Sequence, residues 1–88
     1  MTTRYTKINN SYEAKVHEGY LYVRTTGMNF QGILVQGEEV GRIYRMPYTG
    51  TLEQAIAQPR EDGEYMNAVD RCAMGGKSEL VKKGRTIH

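Results

Sequence analysis

YEAKVHEGYLYVR, residues 12–24, is the stretch on which the fold turns. Tyr12, Ala14 and Val16 fall on one side of an extended chain, while Glu13, Lys15 and His17 fall on the other, which is the period of a half-buried strand. A tight turn through Glu18 and Gly19 then sets Val16 against Leu21 and Ala14 against Val23 on one face. On the other face it sets Lys15 against Tyr22 and Glu13 against Arg24. The first face is continuously apolar. The second puts opposite charges across from each other and a tyrosine beside a cation. A slip of one residue would exchange the faces and lose both arrangements, so the pattern specifies a hairpin together with its register.

Past the hairpin, Gly27 is free to take a positive φ in a connection over residues 25–29. Residues 30–36 then read as a third strand centred on Ile33, Leu34 and Val35. A turn at residues 37–39 leads to a fourth strand over residues 40–45. If Ile33, Val35 and Ile43 share the core face, Arg42 and Tyr44 point outward; a different turn length reverses the assignment, and this register stays open. Pro47 stops the strand, and Thr51-Leu52-Glu53-Gln54 matches the capping box that opens helices, with Leu52, Ala55 and Ile56 at helical spacing behind it. Pro59 ends that helix or begins another. Asp62 is the expected N-cap of a second helix through Met74, whose Tyr65, Met66, Val69, Cys72 and Ala73 make an apolar stripe before Gly75 and Gly76 terminate it.

Residues 1–11 are polar and read as a loosely held arm or a short edge strand. Residues 77–88 form a basic tail, read as a helical turn capped by Ser78 and an extended end, with a hairpin turning near Lys83 and Gly84 as the alternative. The whole is an α+β plan in one domain, residues 1–88. An antiparallel four-stranded β-meander is followed by two short helices packed on one face, and the other face is at least partly open. A sheet followed by a helix resembles the double-stranded RNA-binding domain in element order. The helix here opens with Thr51-Leu52-Glu53-Gln54 where that family carries a lysine cluster, so the residues that hold RNA phosphates are missing and the family is not assigned.

Eighty-eight residues suffice for a single small core, one that buries roughly 60–65% of the unfolded surface. With 39% hydrophobic and 25% charged residues, the composition is that of a folded chain. Met1 opens onto Thr2, Thr3 and Arg4 without a signal-peptide core, and no apolar run reaches the ~18 residues of a membrane span. Cys72 is the single cysteine, which excludes an internal disulfide and fits a reducing compartment. The expectation is a cytoplasmic chain that does not engage a membrane. The net charge of +2 is unevenly spread: +2 over residues 1–50, −3 over residues 51–74 and +3 over residues 75–88. The two basic ends make one patch only if the fold brings them together.

Candidate chemistry is sparse. Gly75-Gly76-Lys77-Ser78 looks like the end of a phosphate-binding loop, but Arg71 stands where the pattern needs glycine and a helix precedes it where a strand is required, so helix termination is the reading adopted. His17, beside a turn, and the terminal His88 have no evident triad partner. Cys72 lies on an apolar stripe, where a small core residue is the ordinary role. The pairs Glu38-Glu39 and Glu61-Asp62 sit in polar turns, and no spacing suits zinc or calcium, so no cofactor, metal site or catalytic residue is expected.

What remains is tyrosine, seven in all, with Tyr20, Tyr22 and Tyr44 interleaved with Lys15, Arg24, Arg42 and Arg45. Tyrosine and arginine dominate binding hot spots, although half-buried strand tyrosines are also ordinary sheet residues. The expected function is a non-enzymatic protein-binding module, a small regulator or inhibitor of the phage or bacterial accessory type. Its contact with a larger partner would be a sheet face or edge carrying those seven residues. The alternative is a nucleic-acid-binding module, in which the strand residues act with the phosphate-binding candidates Lys77, Lys82, Lys83 and Arg85.

Overall fold

The computed structural model describes residues 4–29, 31–37, 39–57, 67–74 and 78–86. The hairpin forms as its sequence dictates. Strands β2 (Tyr12–His17) and β3 (Tyr20–Thr25) pair antiparallel, with Val16 opposite Leu21, Ala14 opposite Val23, Lys15 opposite Tyr22 and Glu13 opposite Arg24. Glu18 and Gly19 take φ of 49° and 82°, the two left-handed turn residues whose twist matches that of the flanking strands.

The hairpin sits inside a five-stranded antiparallel sheet. β1 (Thr6–Lys7) lies on the outer side of β2, so part of the N-terminal arm is a short edge strand. β5 (Ile43–Pro47) lies beside β3, and β6 (Glu79–Lys82) beside β5, with a bulge between Ile43 and Tyr44. A separate two-stranded sheet joins β4 (Glu39–Val40) to β7 (Arg85–Thr86). The architecture is therefore α+β with an antiparallel sheet, but the four-stranded meander is replaced by five strands that draw on the C-terminal segment.

Two corrections to the strand plan have local causes. The described part of the expected third strand joins neither sheet; it folds back on the preceding connection through an isolated Met28–Leu34 bridge and the Val35 amide donating to the Gly27 carbonyl at 2.9 Å. Asn29 Oδ1 accepts from the Gln31 and Ile33 amides at 2.9 and 3.0 Å, and Gly32 sits at φ +81°. Side-chain capture of these amides removes donors that a strand would need, so Ile33 and Leu34 stay exposed at 60% and 52% rather than entering the core. The expected fourth strand is split by Gly41 at φ +75° into β4 and β5. Phe30 and Glu38 lie outside the described residues.

Helix α1 (Leu52–Ile56) has the expected capping box. The Gln54 amide donates to Thr51 Oγ1 at 3.2 Å, and the Thr51 amide donates to Gln54 Oε1 at 2.9 Å. Helix α2 (Ala68–Met74) begins later than expected, with the Asp70 amide donating to Asn67 Oδ1 at 2.9 Å in the manner of an N-cap. Asp62, Tyr65, Met66, Gly75 and Gly76 lie outside the described residues. The Ser78 hydroxyl donates to the Cys72 carbonyl at 2.6 Å, which satisfies one of the acceptors left open at the helix end. Ser78 leads into strand β6, not a helical turn, and Gly84 joins β6 to β7 with each strand pairing elsewhere.

Both helices pack on one face of the main sheet. Leu21, Val23 and Ala14 meet Ala55, Ala68, Val69 and Cys72 in the buried core, flanked by half-buried Tyr12, Val16, Tyr44 and Met46. The opposite face carries no helix among the described residues, and it is there that the chemistry collects. No described helix is long and apolar enough to cross a membrane.

Candidate functional site

The register builds the open face as rows across the strands. Lys15, Tyr22, Arg45 and Glu79 stand in one row, and Lys7, Glu13, Arg24, Ile43 and Lys82 in the next. Because side chains alternate along each strand, Lys7, Glu13, Lys15, Tyr22, Arg24, Ile43 and Arg45 project from the side away from the helices, and Glu79 joins them through its ion pair with Arg45. Tyr20 and Tyr22 share that side with ring centroids 6.3 Å apart.

Cations and rings interlock on this surface. The Lys15 ammonium lies over two rings, 4.7 Å from the centroid of Tyr5 and 5.2 Å from that of Tyr22. The Arg24 guanidinium lies 4.7 Å from the Tyr5 centroid and bonds both carboxylate oxygens of Glu13 at 3.0 Å. Arg45 lies 4.7 Å from the Tyr20 centroid and donates to Glu79 at 2.8 Å. Hydrogen bonds to Glu79 and then to Tyr22 raise the Arg45 pKa above its ordinary value. Burial raises the Tyr5 phenol, with the Arg24 charge pulling the other way. Lys15, at the centre of the face, makes no ion pair among the described residues.

Lys15, Tyr20, Tyr22, Arg24 and Arg45 are thus brought together as one surface. Arg42 and Tyr44 are not. Tyr44 stands opposite Val23 and packs against the core, because the bend at Gly41 puts Ile43 and Arg45 on the open face. This overturns the arrangement with Ile33, Val35 and Ile43 inward. Arg42 Nη1 donates to the Tyr44 hydroxyl at 2.7 Å and its Nε to Glu39 at 2.7 Å, bonds that raise its pKa, Glu39 foremost. The two residues line a separate hollow of 330 Å³ with Tyr12, Thr25 and Ala73. Tyr5 and Glu79 belong to the open face although the sequence did not mark them for it. A two-residue edge strand and an all-exposed β6 leave no periodic signal to find them by.

The basic tail also acquires a place. Lys82, Lys83 and Arg85 line a cleft of 1030 Å³ that begins where the open face ends, with Glu13 and Arg24 forming its wall. Lys77 lies outside the described residues. Elsewhere, Cys72 is fully buried with its sulfur 3.7 Å from the Leu21 carbonyl, and desolvation pushes its thiol up to about 11. His17 lies 3.7 Å from Glu18 at the hairpin turn. Among the described residues, no group of three His, Cys, Asp or Glu side chains could hold a metal ion. Comparison with protein-family models, curated proteins and solved structures found no match.

Proposed function

We propose that this chain is a non-enzymatic protein-binding module, a small regulator or inhibitor that docks on a larger protein through the open face of its sheet. The observation that carries the reading is the interlocked set Tyr5, Lys15, Tyr22, Arg24, Tyr20 and Arg45. Each long cation is already held against a ring, so little side-chain freedom remains to be lost when a partner covers the face. Arg24 and Arg45 bring their own carboxylates, Glu13 and Glu79; burial of either pair leaves no orphan charge. Lys15 is the exception. A partner whose surface sets an acidic group over Lys15, inside a rim of tyrosine contacts, matches this face in shape and charge.

The test is affinity capture from the source organism with the wild-type chain and with Lys15→Ala and Tyr22→Ala. A hot-spot loss of about 2 kcal/mol corresponds to roughly 30-fold weaker binding of the captured protein to either variant. A partner that binds the variants as tightly as the wild type, or that loses affinity only when Arg42 or Thr51 on the helix side is changed, overturns the assignment of this face.

A further inference from the structure

The cleft beside the open face has a composition unlike that of the face itself. On the sheet, arginines meet carboxylates; in the cleft, Lys82, Lys83 and Arg85 form no ion pair among the described residues, and the Glu13 carboxylate is already committed to Arg24. Three cations without a carboxylate partner among the described residues therefore line one concavity. Leu34 and Val40 add apolar surface to it, Leu34 at 52% exposure. Its volume of 1030 Å³ stands at the top of the roughly 300–1,000 Å³ usual for small-molecule sites, and Arg24 forms its border with the sheet.

We propose that this cleft binds a single strand of nucleic acid. Lysine ammonium groups on flexible stems act as point charges, suited to phosphates that follow one another along a chain. Apolar side chains beside them, Leu34 and Val40, suit the faces of bases that are not paired. A duplex offers only its phosphates to such a hollow and leaves Leu34 and Val40 without a role. An acidic peptide uses the charges but does not carry a planar base beside each of them to lay on those side chains. The proposal stands on the cleft alone and is independent of the protein-docking reading.

Fluorescence anisotropy of a labelled oligothymidylate tests it, with a length of about 15 nucleotides so that one site is covered. With three cations engaged, affinity should fall roughly 20-fold between 50 and 200 mM salt, from a log–log slope of about −2. The triple variant Lys82→Ala/Lys83→Ala/Arg85→Ala should lose that binding at low salt while keeping the wild-type circular dichroism and melting temperature. No anisotropy change at low salt overturns the proposal. So does a triple variant that keeps wild-type affinity, a duplex of the same length that binds more tightly, or polyglutamate that displaces the oligonucleotide at equal or lower concentration.

Discussion

Gly84 lies directly against the backbone of Val40. A Cβ added at Gly84 would collide with the Val40 carbonyl oxygen and would also come within 2.6 Å of the Arg42 amide nitrogen. No flexible side chain is there to swing aside. Gly84→Ala must therefore push β7 away from β4, at a cost of about 1–3 kcal/mol. Urea unfolding should show a lower midpoint with an unchanged m-value, and an unaltered midpoint would mean that the two strands are not in this contact.

Cys72 gives the fold a pH dependence of definite sign. Its folded-state pKa is raised by burial to about 11, against roughly 8.5 for an exposed thiol. The native state holds the proton longer, so this contribution is fully present below the unfolded value and is lost as pH rises through the folded one. It amounts to at most about 3 kcal/mol between roughly pH 8.5 and 11. Denaturant unfolding at intervals over that range should show a steeper decline for the wild type than for Cys72→Ala. Parallel curves would mean that the thiol is not desolvated in the folded chain.

The Glu13–Arg24 pair reports the register of the hairpin. With the two side chains 26% and 39% exposed, solvent screening limits the coupling to about 0.5 kcal/mol in a double-mutant cycle. Glu13→Lys should cost more than Glu13→Gln, by about 0.5 kcal/mol, since it sets like charges directly across the strands. Equal effects of the two substitutions would argue against that pairing.

Helix α1 has only five residues (Leu52–Ile56), so its cap is a large part of what holds it. Thr51→Ala removes the acceptor for the Gln54 amide and should lower stability by about 1 kcal/mol. Thr51→Ser keeps the oxygen and should restore most of the loss; a serine variant no better than alanine would show that the hydroxyl is not capping the helix.

Where the fold was legible, local rules agreed with one another. In residues 12–24 a period of two sets both faces at once, and Gly19 tolerates the turn geometry, so no distant residue is needed to choose the register. The capping box at Thr51 is equally self-contained. Ile33-Leu34-Val35 misled because β-propensity was weighed without the competing hydrogen bonds of Asn29. Tyr44 was ambiguous for a different reason: its inward direction follows from pairing with Val23 across the sheet, a non-local fact. The same holds for the tail. All four residues of β6 are exposed, so only partnership with β5 marks them as strand; that partnership sets Lys82 in the row of Arg24, and the pairing of β7 with β4 brings Arg85 to the same cleft. Their charge could be read in the sequence; their position could not.

The bulge between Ile43 and Tyr44 bears on how crowded solutions of this protein should behave. An open sheet invites copies to add strands to its edges, but here neither edge is a good template. β1 offers two residues. β6 offers four, ends in Lys82, and itself holds the extra residue, Val81, opposite Ile43 and Tyr44, a bulge that increases the local twist. Edge-to-edge growth into filaments is disfavoured at both borders, so the broad tyrosine face can remain uncovered without the chain polymerising on itself.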